Sequence, residues 1–200
     1  LSDPTAILED LQNRMQQDFP ALADLTAQTV QCDIQDVDAG LEAYSSPAFY
    51  MIPPIDALMQ NTIRINRSST ADGIELYTTL AHEGYPGHLY QTVYSSLVCD
   101  TQTLPIRKLF SYGGYVEGWA YYTERISYEY AAQVLAEAEG SLGSSYPAAL
   151  LCTLLAQQRD LQINLFCLLD LSLHYYGAEE SELLRSLESF GLSEEQSERV

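Results

Sequence analysis

Two hundred residues suit one good-sized core better than two, so a single domain over 1–200 is expected. A formal charge of -19, from 28 acidic and 9 basic residues, opposes binding to nucleic-acid phosphates and anionic bilayers. The cationic pairs Arg64 with Arg67 and Arg107 with Lys108 are too small to make a binding stripe, and 46% hydrophobic content excludes a disordered or fibrous class.

In chain order, Asp3 and Pro4 form a start signal for a helix reaching about Phe19, with Ile7, Leu8, Leu11 and Met15 at helical spacing. From Ala21 to Gly40 the pattern is mixed, with a short strand possible over Thr29 to Ile34. Tyr44 to Asp56 carries Pro47, Pro53 and Pro54 among aromatics and reads as an ordered loop. Asn61 to Arg67 alternates, Ile63 and Ile65 on one face and Arg64 and Asn66 on the other, the clearest strand pattern in the chain.

Asp72 and Glu75 form a candidate capping box for a helix running into His82. Further helices are expected over Ile106 to Glu137, with a break near Gly113-Gly114, and over Glu179 to Phe190, ended by Gly191. Pro147 to Tyr176 reads as a long core helix, since Gln157, Gln158, Arg159, Asp160, Gln162, Asn164 and Asp170 are too polar a load for a membrane span. No basic and apolar leader precedes the helices, and a start without Met suggests a processed or excised piece. Cys32, Cys99, Cys152 and Cys167 include no C-x-x-C pair, so buried free thiols are expected, with a Cys32 to Cys99 disulfide open if the protein is exported.

Two of the three histidines fall within the run His82-Glu83-Gly84-Tyr85-Pro86-Gly87-His88. In an H-E-x-x-H helix the imidazoles lie on one face and reach one zinc, while the Glu handles its water. Here the spacing is six, and six steps of about 100° turn the second ring roughly 120° away on an unbroken helix. The helix therefore has to be distorted. Pro86 cannot donate to the carbonyl of His82 and crowds that turn, and Gly87 accepts nearly any backbone geometry, so a bulge or break there would return His88 toward His82.

Zinc in a catalytic site takes three protein ligands and leaves a position for water. Glu117, in Glu117-Gly118-Trp119-Ala120, is the candidate third ligand. Glu124, two turns on and nearly on the same face, would orient a ligand or replace Glu117. Glu83 is the candidate general base, taking a proton from metal-polarised water and passing it to the leaving amine. Asp170 and His174 lie four apart, as an Asp-His pair that orients a ligand, steadies an oxyanion, or makes a core hydrogen bond. Asn66 and Tyr121 are candidate substrate contacts, with loop capping and core packing as the alternatives.

These motifs resemble the bacterial domain of unknown function 885 family, grouped with the gluzincin metallopeptidases. The resemblance rests on His82 to His88 followed by Gln91, on Glu117-Gly118-Trp119-Ala120-Tyr121-Tyr122-Thr123-Glu124, and on Asp170 with His174. Glu117-Gly118-Trp119-Ala120 is also similar to the block of zinc aminopeptidases whose Glu is a metal ligand, which favours Glu117 over Glu124. The pattern departs at Leu89, where the family usually has a second histidine. The resemblance implies an α+β, mostly α-helical gluzincin-like domain with a small sheet beside the metal-bearing helix. It also implies zinc as cofactor, a peptide as substrate, and a chain that is the C-terminal catalytic part of a longer protein. A zinc-binding scaffold without turnover and a helical interaction module with structural histidines are the rival expectations. Compartment is left open between export, surface attachment and the cytoplasm.

Overall fold

The computed structural model describes residues 1–70, 72–99, 110, 112–139, 147–193 and 195. The chain is α+β and mostly helical, with one three-stranded sheet. It divides into two compact units, Leu1–Thr153 and Leu154–Val200.

In the first unit, Asp3 caps α1 (Pro4–Arg14) by accepting from the Thr5 N–H at 3.0 Å, and Pro4 occupies a position where a missing N–H costs nothing. Ile7, Leu8 and Leu11 bury the inner face. The sheet comprises β1 (Gln31–Asp36), β2 (Ala48–Met51) and β3 (Gln60–Ile65), in the order β1-β3-β2, with β1 parallel and β2 antiparallel to β3. Being central, β3 has Ile63 and Ile65 fully buried. The expected strand over Asn61 to Arg67 is thus present, one residue earlier at its start and two shorter at its end. The 44–56 segment, expected to be a loop, contributes β2. Its prolines bracket the strand rather than enter it, and an edge strand tolerates them nearby.

Helix α2 (Ile74–Glu83) buries Leu76, Tyr77, Thr78, Leu80 and Ala81 and packs against α1, β2 and a long helix over Gly113–Glu139. Each large side chain removed from water contributes about 1.5–3 kcal/mol, which makes α2 the centre of the unit. Its N-cap is Gly73, with φ 85, and no side chain caps it, so the Asp72–Glu75 box expected from sequence does not form. The next helices are α3 (His88–Cys99) and α4 (Gly113–Glu139). The expected break near Gly113-Gly114 coincides with the start of α4, and 101–109 lie outside the described residues. Tyr77 donates to Asp10 at 2.7 Å, Tyr90 to the Pro20 carbonyl at 2.9 Å, and Tyr130 to Asp18, tying helices to the N-terminal segment.

Helix α5 (Ala148–Asp170) crosses from the first unit into the second and ends in a π-helical turn, Leu171–Tyr175. The core helix expected there is not buried. Leu150, Leu151, Leu154, Leu161, Phe166 and Leu168 are 43–72% exposed. Apolar composition signals a helix suited to burial, but burial itself needs a covering layer that the helix's own sequence does not contain. Helix α6 (Glu180–Ser189) opens with a Glu179–Glu182 capping box and ends before Gly191, whose φ of 91 stops the turn. Among the described residues no helix is long and apolar enough to cross a membrane. Cys32 is a half-buried free thiol, Cys152 is buried, and Cys167 is exposed, contrary to the expectation of burial. The side chain of Cys99 lies outside the described residues.

Candidate metal centre

The expected distortion between His82 and His88 takes the form of two separate helices. Helix α2 ends at Glu83 and α3 begins at His88, with a loop of four residues between them that contains a cis Tyr85–Pro86 bond. The reversal is tight at Gly87, where a Cβ would stand 1.8 Å from the His82 carbonyl oxygen and 2.4 Å from that of Ala81. Only glycine lets the backbone pass so close. Gly84 is confined too, since a Cβ there would meet Leu8 at 2.5 Å and the Leu80 carbonyl at 2.8 Å. As a result the rings of His82 and His88, six positions apart, lie edge to face with centroids 4.9 Å apart.

Helix α4 supplies two carboxylates to this pair. Glu124 is buried, and its Oε2 lies 3.0 Å from His82 Nδ1. That hydrogen bond fixes the ring and leaves Nε2 with its lone pair pointing away from Glu124. Glu117 Oε2 lies on that other side, 3.5 Å from His82 Nε2 and 3.6 Å from His88 Nε2. Both separations exceed ordinary hydrogen bonds, which cluster near about 2.9 Å. They match instead the roughly 3.3–3.4 Å between donors sharing a tetrahedral ion at about 2.0–2.1 Å from each. Two imidazole nitrogens and a carboxylate oxygen are a fitting donor set for zinc.

Glu83 is the other acidic neighbour. It forms with His82 and His88 a group whose ligand atoms lie within 4.8 Å of one another, so two carboxylates compete for the third position. Hydrogen bonding separates them. Glu83 Oε2 accepts from the Tyr50 N–H of β2 at 2.8 Å, which draws it toward the sheet, whereas Glu117 faces both Nε2 atoms from the exposed side. Burial raises the Glu83 pKa, with Glu117 and Glu124 adding to the shift, against the lowering by His82 and the Tyr50 N–H. For His82, burial opposes the charge, but the Glu124 hydrogen bond and the neighbouring Glu83 and Glu117 outweigh it, and its pKa is raised. His88 is shifted down, by burial and by the adjacent His82.

Asn66 is completely buried, with its amide donating to the carbonyls of Glu42 at 2.8 Å and Ser45 at 3.0 Å and accepting from Ser68. It caps the loop, and β3 beside it is the central strand rather than an edge. Tyr121 is half-buried on α4, one turn from Glu117. Asp170 and His174 belong to the second unit, 3.7 Å apart and both more than 70% exposed, so they form a surface pair and not a core hydrogen bond. Two contributors escaped the sequence reading. The Tyr50 N–H was hidden in a proline-rich segment, where only the four-residue run Ala48 to Met51 signals a strand. Trp119 donates Nε1 to the Pro86 carbonyl at 2.9 Å and packs on Tyr90, pinning α4 to the histidine loop.

Residues 1–196 match the model of the family described as "Bacterial protein of unknown function (DUF885)". This chain belongs to that family. Among solved structures, the DUF885 chain is similar to a protein described as "the putative lipoprotein from Colwellia psychrerythraea", with a TM-score of 0.64 at 20% identity. The match covers 98% of this chain and 30% of that one, so the chain spans less than a third of the similar protein. At that identity the likeness concerns the fold. No curated protein matches the chain.

Proposed function

We propose that this DUF885 chain carries a zinc site that hydrolyses peptide bonds, with His82, His88 and Glu117 as ligands and Glu83 as general base. The observation behind it is the position of Glu117 Oε2, 3.5 and 3.6 Å from the two Nε2 atoms. Zinc held there would act as a Lewis acid, polarising the scissile carbonyl and making water a better nucleophile at neutral pH.

The chain's own residues do the rest. Glu83 takes a proton on its carboxylate and delivers it to the leaving amine, and a pKa raised by burial suits a group that must both accept and release. The Tyr50 N–H fixes that carboxylate. Glu124 holds His82 in the tautomer that presents Nε2. β2 is an edge strand, and because the Tyr50 N–H points to Glu83 rather than to β3, an extended peptide along that edge would pass beside the base. Tyr121, one turn from Glu117, is the candidate substrate contact within the first unit. The description of the similar protein as a lipoprotein supports an exported or surface-attached setting.

Zinc content and peptide hydrolysis test the reading together. A folded chain without stoichiometric zinc would be a helical module with structural histidines. A wild type that holds zinc and shows no turnover would be a scaffold, and turnover that is equal in the wild type and in Glu83→Gln would remove Glu83 as the base.

A further inference from the structure

Two buried side-chain nitrogens lack a hydrogen-bond partner among the described residues: His88 Nδ1 and Gln91 Nε2. Both side chains project from α3, three residues and about one turn apart, and therefore lie on the same helix face. A buried polar atom left unpaired destabilises the fold, so two on one face call for a reason. Gln91 is 8% exposed, and its Nε2 has no partner among the described residues that would explain the burial.

His82 supplies the comparison. Its Nδ1 is held by Glu124, so its Nε2 faces Glu117. His88 Nε2 faces the same oxygen at 3.6 Å, yet its Nδ1 has no counterpart of Glu124. A neutral imidazole carries one N–H and one lone pair, so for Nε2 to offer its lone pair, Nδ1 must carry the hydrogen and needs an acceptor. The two ends of a carboxamide have nearly the same shape, and the hydrogen bond it makes decides which end points where.

We infer that Gln91 is the positioning residue of His88: its amide oxygen accepts the Nδ1–H, directly or through one water, and so presents Nε2 to the metal. The inference rests on the zinc reading above. In a chain with this role, the two unpaired atoms are a polar pair that becomes satisfied when His88 takes the tautomer a metal requires. Without it, Gln91 is a buried amide whose replacement by an apolar group would help the fold and leave metal binding untouched.

The test pairs zinc affinity, by competition with a chromophoric chelator, with thermal melting of the metal-free chain. Gln91→Met, close in length and volume, is expected to weaken zinc binding about 10–100-fold while metal-free melting stays level or rises. Gln91→Glu, which keeps an acceptor of the same reach, is expected to restore the wild-type affinity. Should Gln91→Met fail to fold, Gln91→Asn, one methylene shorter, is expected to show the same loss. Zinc binding indifferent to Gln91→Met, or no tighter in Gln91→Glu than in Gln91→Met, overturns this inference alone. A folded wild-type chain that takes no zinc overturns the metal reading and this inference with it.

Discussion

Glu83, Glu117 and Glu124 surround the same two imidazoles, and what separates their tasks is the partner each carboxylate already has. Glu83 is tied to a strand N–H, Glu124 to a ring nitrogen, and Glu117 faces the open side. Replacing Glu83 by Gln keeps the shape and removes the proposed base. We expect turnover to fall about 10²–10⁴-fold with zinc content unchanged, read by peptide hydrolysis and metal analysis. The raised pKa of His82 sets a pH dependence. In the metal-free chain, the charged His82–Glu124 pair contributes stability that is fully present below the ordinary value of 6.5 and is lost as pH rises through the raised one. Zinc displaces that proton, so affinity should climb with pH until His82 is neutral, and zinc addition below that point should release protons measurable in weak buffer. At this scale the sequence was informative for residues whose chemistry is scarce. Three histidines in the chain, two within seven positions, make His82 and His88 conspicuous. With 28 acidic residues, no carboxylate stands out by type, and Asn66 has the same appearance whether it binds a substrate or caps a loop.

Among the elements, the turn joining α2 to α3 makes the centre possible, and its glycines differ in what they permit. Gly87→Ala would drive a Cβ into the His82 carbonyl, so the backbone must shift at the ligand itself. The expected result is loss of zinc binding with a clear drop in melting temperature, checked by chelator competition and thermal denaturation. Gly118, next to Glu117 in α4, has no atom of the described residues within 4 Å of where its Cβ would be. Gly118→Ala is therefore expected to stabilise the chain by about 0.5–1 kcal/mol through helix propensity, measured by urea denaturation. Pro86 and Gly87 revealed from sequence that the helix had to be interrupted. They did not reveal that the interruption would start at Gly84 and produce two helices, because that depends on Leu8 and Ile63 standing against Gly84. β2 was missed for a related reason: a four-residue strand between prolines has too short a period to read, and its existence depends on β3 being there to pair with.

For the molecule as a whole, the zinc reading links metal binding to folding of the first unit, because the proposed ligands come from α2, α3 and α4. Zinc at 100 times its dissociation constant should stabilise the native chain by about 2.7 kcal/mol, and Glu117→Ala should abolish most of that gain, read as the zinc-dependent shift in melting temperature. The same elements are held by polar ties at the other end of the unit. Tyr77→Phe, which removes a buried donor to Asp10, is expected to cost about 0.5–1.5 kcal/mol in urea denaturation without changing zinc affinity. Local sequence settled the helical character, a strand near Asn61 to Arg67, the acidic surface and the His-Glu-His motif, since each follows from periodicity or residue type within a few neighbouring positions. Tertiary packing alone decided that β3 is central and β2 an edge, that α5 is exposed, and that Glu117 rather than Glu124 faces both Nε2 atoms. Those outcomes depend on which surfaces meet across distances of tens of residues, where no periodicity within a single element carries the information.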